Sequence, residues 1–289
     1  MTITCRKILS ALVLVISLFL GVYVRYNGPE ALSDSYLIKL PWNLWFTKND
    51  TKVKMPSLEQ EVPFKKATFG MGCFWANDAL FGSQPGVLRT RVGYSGGTTP
   101  NPVYKSIDSA SSEDGAAAKP PTENPRGDHT EVIEIDYDPK VITYHDLLQL
   151  FWNNHEYGLT TVIKRQYMSL ILYHDEDQKR IAEKEIKIEA GKRNEKLLTE
   201  LAPAGPFYPA EDYHQKYRLQ KHGWIVEELN LTPELLQTSE VAAKLNGYIA
   251  GVGTQDQFEK DIKRLAVPEK IASFVKIHLL ENAGGSLYC

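Results

Sequence analysis

Cysteine is scarce here: Cys5, Cys73 and Cys289 are the only three in 289 residues. So few exclude a disulfide framework, and their wide separation excludes a clustered zinc site. A basic excess is also missing, because the formal net charge is -3. With no positive patch to neutralise phosphates, nucleic acid is not an expected partner. Three motif-like stretches lack the piece that would make them sites. Gly93-Tyr-Ser95-Gly-Gly97 has the spacing of a nucleophile elbow, but Pro100 and Pro102 follow and forbid the helix an elbow needs. His155-Glu156 has Leu159 where a zinc-binding helix carries its second histidine. Gly247-Tyr-Ile-Ala-Gly251-Val-Gly253 has neither a preceding strand nor dinucleotide-loop spacing, and is expected to be a turn between C-terminal helices. No metal and no cofactor is expected.

Long charge-free apolar runs are equally rare, and Ile8–Val24 is the one of note. It sits at the short end of the ~17–25 residues that span a bilayer. Arg6 and Lys7 precede it, which predicts residues 1–7 in the cytoplasm and the rest in the secretory lumen or outside the cell. The expectation is a single-pass signal anchor over 8–24. Secretion after signal cleavage is the alternative, weakened by the poor cleavage site around Gly21–Val24. Residues 25–61 are polar and broken by Pro29, Pro41 and Pro56, so they read as a stalk. Asn49-Asp-Thr51 is then a candidate glycosylation acceptor.

The chain is organised around Ala67–Phe81. This stretch starts apolar and β-prone, breaks at Gly70 and Gly72, and continues with helix-compatible residues after Cys73. A strand entering a helix through a glycine turn leaves Cys73 at the helix N-terminus, where unpaired N–H groups and the dipole favour thiolate. Phe74 and Trp75 supply aromatic surface beside the sulfur. A buried structural cysteine is the plainer reading of this spacing alone.

Gly72-Cys73-Phe74-Trp75 resembles the signature of the methionine sulfoxide reductase A family. Val92–Gly97, Asn101–Tyr104, His129–Val132 and Phe207–His214 follow in that family's order, so the resemblance covers about residues 64–222. It implies thiol-dependent reduction of methionine (S)-sulfoxide, in proteins or free, with Cys73 attacking sulfur and becoming a sulfenic acid. By the same resemblance Glu131 is the acid, Tyr104 and Tyr167 bond the sulfoxide oxygen, and Phe74 and Trp75 hold the S-methyl group. Cys289, on a glycine-softened tail, takes the role of resolving thiol, and a thioredoxin-like protein is the implied reductant. Ala76 stands where the family has glycine, and Val162 and Lys164 stand where it has aspartate and glycine. A silent, membrane-tethered binding protein is the rival from another class.

Elsewhere periodicity sets the expectations. Strands are predicted over 86–94, 130–137 and 166–173, and helices over 144–154 and 175–198. Residues 109–128 are poor in large apolar side chains and read as a disordered insertion. Helices are expected over 232–281. The predicted fold is α+β: a two-layer α/β sandwich around a mixed sheet, with a C-terminal helical extension. The catalytic domain is assigned to 62–225 and the extension with its tail to 226–289.

Overall fold

A computed structural model describes residues 62–108, 128–155, 164–192, 197–285 and 287, all within the compact unit Lys52–Cys289. The apolar run 8–24, the stalk 25–61, Asn49, residues 109–127, Val162 and Cys289 lie outside the described residues. Among the described residues no helix is long and apolar enough to cross a membrane.

Among the described residues six strands form one sheet: β1 (Lys65–Met71), β2 (Val87–Ser95), β3 (Thr130–Tyr137), β4 (Ser169–Tyr173), β5 (Glu200–Pro203) and β6 (Tyr208–Pro209). Their order is β5-β4-β1-β3-β2-β6, and every neighbouring pair is antiparallel except β4 with β5. The alternation along β1 and β3 sorts side chains onto two faces. Ala67 pairs with Ile135 and Phe69 with Ile133, and all four point into the core. The other face carries charge: Lys66 Nζ donates to Glu134 at 2.9 Å and Asp136 at 2.8 Å, and Arg89 and Arg91 pair with the same two carboxylates. The cations of this ladder are about a third exposed, so water screens the pairs and they add little stability.

Helices α1 (Phe74–Gly82), α2 (Tyr104–Asp108), α3 (Tyr144–Asn153) and α4 (Glu176–Lys192) follow in the same unit. Thr143 and Asp146 close a capping box at the start of α3, whose Tyr144, Leu147, Leu148 and Phe151 are buried. Phe69 meets Phe81 of α1 at 5.8 Å and Phe151 of α3 at 5.3 Å, which fixes both helices on the apolar face. Truncating such a ring to alanine costs about 3–5 kcal/mol.

The C-terminal part is helical: α5 (Tyr217–Gln220), α6 (Gly223–Glu228), α7 (Pro233–Thr238), α8 (Glu240–Ile249), α9 (Gln255–Arg264) and α10 (Glu269–Glu281). Side-chain caps from Thr232, Ser239 and Thr254 start α7, α8 and α9. These helices enclose a second apolar cluster built on Leu219, Leu245, Tyr248, Phe258 and Ile271. Helix α8 lies directly on α1. A Cβ at Gly82 would sit 2.4 Å from the carbonyl oxygen of Ala243, and one at Gly247 would sit 2.7 Å from that of Ala79. Small residues at the crossing allow backbone to meet backbone.

Four expectations need correction. Asp128, the last residue of the expected disordered insertion, is buried, and its carboxylate accepts from the N–H and hydroxyl groups of Thr98 and Thr99. Residues 166–168 do not open a strand. Arg165–Tyr167 form a 3-10 turn, because Gln166 turns inward and Thr130 Oγ1 donates to the Arg165 carbonyl at 2.9 Å. The helix expected to reach Leu198 is described over Glu176–Lys192, and Leu198 itself is not helical. Gly247 is not in a turn but inside α8, where its missing side chain admits α1.

Candidate active site

The strand β1 ends at Met71, and Gly72 turns the chain with φ +72. Among the described residues no atom would crowd a Cβ there, and the left-handed backbone selects glycine. Cys73 is then extended (φ -60, ψ 119) and forms the N-cap of α1 without a side-chain cap bond. Its sulfur is in a disulfide whose partner lies outside the described residues. The next N–H, that of Phe74, donates to Glu131 Oε2 at 3.0 Å. Gln166 Nε2 donates to the other oxygen of that carboxyl at 2.7 Å. Glu131 is the second residue of β3 and only 1% exposed, so the sheet holds a carboxyl at the helix start that carries the sulfur.

An aromatic box adjoins this pair, centred on His214. Phe74, Tyr104 and Trp75 have ring centroids 5.0, 4.8 and 5.6 Å from the imidazole. Trp75 Nε1–H donates to His214 Nδ1 at 3.0 Å, so Nδ1 is bare and a neutral imidazole carries its proton on Nε2. That Nε2 is buried with no hydrogen-bond partner among the described residues, and Glu211 Oε2 stands 3.8 Å away. Burial lowers the His214 pKa below its ordinary value, with the charge of Glu211 opposing it. Trp75 also lies flat on Tyr217, 3.7 Å away with 5° between the planes.

Glu211 ties the box together. Its carboxylate accepts from the Tyr94 hydroxyl at 2.7 Å and from the Tyr104 N–H at 3.0 Å. Burial works against its charge, but the backbone donors and the Tyr94 hydroxyl outweigh that, and its pKa stays below the usual carboxylate value. The Tyr94 phenol is pushed far up, first by burial and then by Glu211.

The segment carrying Glu211, His214 and Tyr217 is anchored from beneath. The Gln215 side chain bonds both the N–H and the carbonyl of Val92, continuing the ladder of β2. Lys216 adopts a left-handed backbone (φ 50) and is fully buried. Its N–H and Nζ both reach Asp78 of α1, at 2.9 and 3.0 Å, and Thr90 Oγ1 donates to the same carboxylate at 2.6 Å. Burial lowers the lysine pKa, with Asp78 opposing. A fully buried pair of this kind fixes geometry more than it adds stability.

Of the residues singled out from the sequence, Cys73, Phe74 and Glu131 converge directly, and His214 links Phe74 with Trp75 and Tyr104. Tyr167 is half-buried beside Gln166, the donor to Glu131. Cys289 lies outside the described residues. Among the described residues no group of three histidine, cysteine or acidic side chains is placed to hold a metal. Four functional residues, Glu211, His214, Gln166 and Tyr217, are not among those the sequence pattern singles out. Glu211 and His214 sit in the Phe207–His214 block, where an acid and a histidine among aromatics were a usable signal. Tyr217 had none, since its place depends on the left-handed turn at Lys216.

Comparison with known proteins agrees with this geometry. The family model for peptide methionine sulfoxide reductase matches residues 65–245. A peptide methionine sulfoxide reductase of Drosophila melanogaster is 52% identical over 236 residues, covering 81% of this chain and 88% of that protein. Peptide methionine sulfoxide reductase A5 of Oryza sativa subsp. japonica is 35% identical over 71% of this chain and 77% of its own length. The MsrA protein of Sulfolobus acidocaldarius is 42% identical over 52% of this chain and 80% of its own. With its Cys73–Glu131 pair at the start of α1 and a family match over most of its described residues, this chain belongs to the peptide methionine sulfoxide reductase family.

Proposed function

We propose that the protein reduces methionine sulfoxide, in proteins or free and in its (S)-epimer, through the thiol of Cys73. The observation that carries this reading is the buried Glu131 carboxyl, bonded at 3.0 Å to the N–H that immediately follows Cys73. The helix start favours the Cys73 thiolate, which bonds the sulfoxide sulfur. Glu131 passes a proton to the sulfoxide oxygen, and the substrate S–O bond breaks. The hydroxyl passes to the Cys73 sulfur as the bond between that sulfur and the substrate breaks, so methionine leaves as a thioether, two electrons reduced, and Cys73 is left as a sulfenic acid, two electrons oxidised. The hydroxyls of Tyr104 and Tyr167 hydrogen-bond the oxygen as it gains charge, and Phe74 and Trp75 flank the S-methyl group. Cys289 then condenses with the sulfenic acid, and a thioredoxin-like dithiol reduces the disulfide. The disulfide at Cys73 supports this order of events. The silent binding-protein reading is not favoured, because Cys73, Glu131 and both tyrosines are retained.

The test is turnover of the two sulfoxide epimers of one peptide by the full-length protein in detergent, with dithiothreitol as donor. Release of methionine from the (S)-epimer alone, lost in Cys73→Ser, is the expected result; equal rates on both epimers contradict it. We further propose that residues 8–24 anchor the chain with the catalytic domain in the secretory lumen or outside the cell. The charges of Arg6 and Lys7 support that orientation. Protease added to sealed microsomes then spares the domain until detergent is added, whereas digestion without detergent contradicts the orientation.

A further inference from the structure

The C-terminal helices leave α1 and bring the chain end back towards it. After α10, Asn282 is seated on the end of α8: its Nδ2 donates to the Ile249 carbonyl at 2.9 Å, and its backbone lies so close to Gly251 that a Cβ there would come within 2.3 Å. Beyond that seat, Leu287 packs against the core cluster that contains Phe74. Its carbonyl accepts from Arg218 Nη2 at 3.0 Å. Arg218 directly follows Tyr217, the residue stacked on Trp75. The bond goes to main chain, so it holds the tail whatever side chain stands at 287. Arg218 Nε is buried with no hydrogen-bond partner among the described residues, so the guanidinium is drawn in at a desolvation cost that the tail contact helps offset.

Cys289 is two residues further on, and two residues of chain reach at most ~7 Å. Holding Leu287 therefore confines the last thiol to a small volume and raises its effective concentration over that of a loose tail. We propose that Arg218 is a positioning residue for the second half of the reaction: it clasps the Leu287 carbonyl and so presents Cys289 to the sulfenic acid on Cys73. This rests on the reading that Cys289 is the resolving thiol. In that step the Cys73–Cys289 sulfur–sulfur bond forms and the Cys73 S–O bond breaks. The Cys289 proton leaves with the hydroxyl as water, and no further oxidant is required.

The test follows one turnover of the reduced full-length protein on an (S)-sulfoxide peptide. Samples are quenched with a sulfenic-acid trap and a thiol alkylator, and Cys73 is read by mass spectrometry. In Arg218→Ala, methionine should appear at the wild-type rate, while the Cys73 disulfide forms roughly tenfold more slowly, about what a hydrogen bond to a charged group is worth. Trapped sulfenic acid should accumulate in the interval. Arg218→Lys, which keeps a donor but loses the planar fork, should fall between the two. Disulfide formation at the wild-type rate in both variants overturns the clasp. A first turnover slowed as much as disulfide formation also overturns it, since that marks a general structural role. Cys289→Ser separates the two claims: if it still forms a Cys73 disulfide, the resolving role of Cys289 fails as well.

Discussion

The two ends of helix α1 are held in different ways. At its N-terminus, Cys73, Phe74 and Trp75 are placed by side-chain contacts: Glu131 on the Phe74 N–H, His214 on the Trp75 indole and Tyr217 on its face. At its C-terminus, Gly82 and Ala79 meet the backbone of α8 through Ala243 and Gly247, and Lys244 Nζ donates to the Gln84 carbonyl just beyond the helix. Side-chain contacts can exchange partners as a reaction proceeds; backbone-to-backbone contacts cannot. The first end is thus suited to chemistry and the second to holding the first in register. Changes at the N-terminal end should cost rate at nearly constant stability. Changes at the C-terminal end should cost stability at nearly constant rate per folded molecule.

Glu131→Gln should break the first half of this contrast most strongly. It keeps the shape and one of the two accepted hydrogen bonds, from Gln166 or from the Phe74 N–H, but removes the transferable proton, so single-turnover methionine release should fall by about 10²–10⁴. Thermal melting should drop only by roughly 2–4 °C, the shift that about 1 kcal/mol gives in a chain of this size. An unchanged rate with a large drop in melting temperature would erase the distinction.

Gly247→Val tests the other end. Its Cβ would stand 2.7 Å from the Ala79 carbonyl, which can move only if the helices part. Such overpacking costs about 2–3 kcal/mol, or roughly 5–10 °C in the melt. Turnover normalised to folded protein should stay near wild type.

Asp128 sharpens the comparison at the loop that leads from β2 to Tyr104. Burial opposes its charge, but the four donors of Thr98 and Thr99 prevail and bring its pKa down to about 2. A carboxyl lowered from 3.8 contributes stability that is fully present above that value and is lost as pH falls through about 2. At neutral pH, Asp128→Asn should cost roughly 1–2 kcal/mol, and the difference from wild type should close in acid unfolding series.

His214 should give the smallest effect. Its folded pKa lies below the ordinary histidine value, so its contribution is present above about 6.5 and is lost as pH falls below that. The stability gap between wild type and His214→Asn should therefore narrow from pH 7 to pH 5. A gap that widened would place the proton on His214 in the folded state.

Local sequence signals made much of this visible and tertiary packing hid the rest. Gly70 and Gly72 between an apolar run and Cys73 were enough to place the sulfur at a helix start, and the strand at 130–137 followed from alternation alone. The alternating α/β order and the helical C-terminus were equally local. The ring of Tyr217 stacked on Trp75 was not legible, because its place depends on a left-handed lysine whose charge is matched by Asp78, far away in sequence. Nor was Asp128, whose acidic, proline-rich surroundings look disordered until its threonine partners across the loop are known. Gly247 resembled a turn residue, since a glycine needed for helix contact carries no local mark of its partner.

The most direct measurement uses the Cys289→Ser chain, reduced and given one equivalent of an (S)-sulfoxide peptide. Dimedone is then added, and methionine and the modified residue are read by mass spectrometry. One methionine per chain, with a dimedone adduct at Cys73 and at no other residue, is the result this account predicts. Methionine formed while Cys73 remains a free thiol would contradict it.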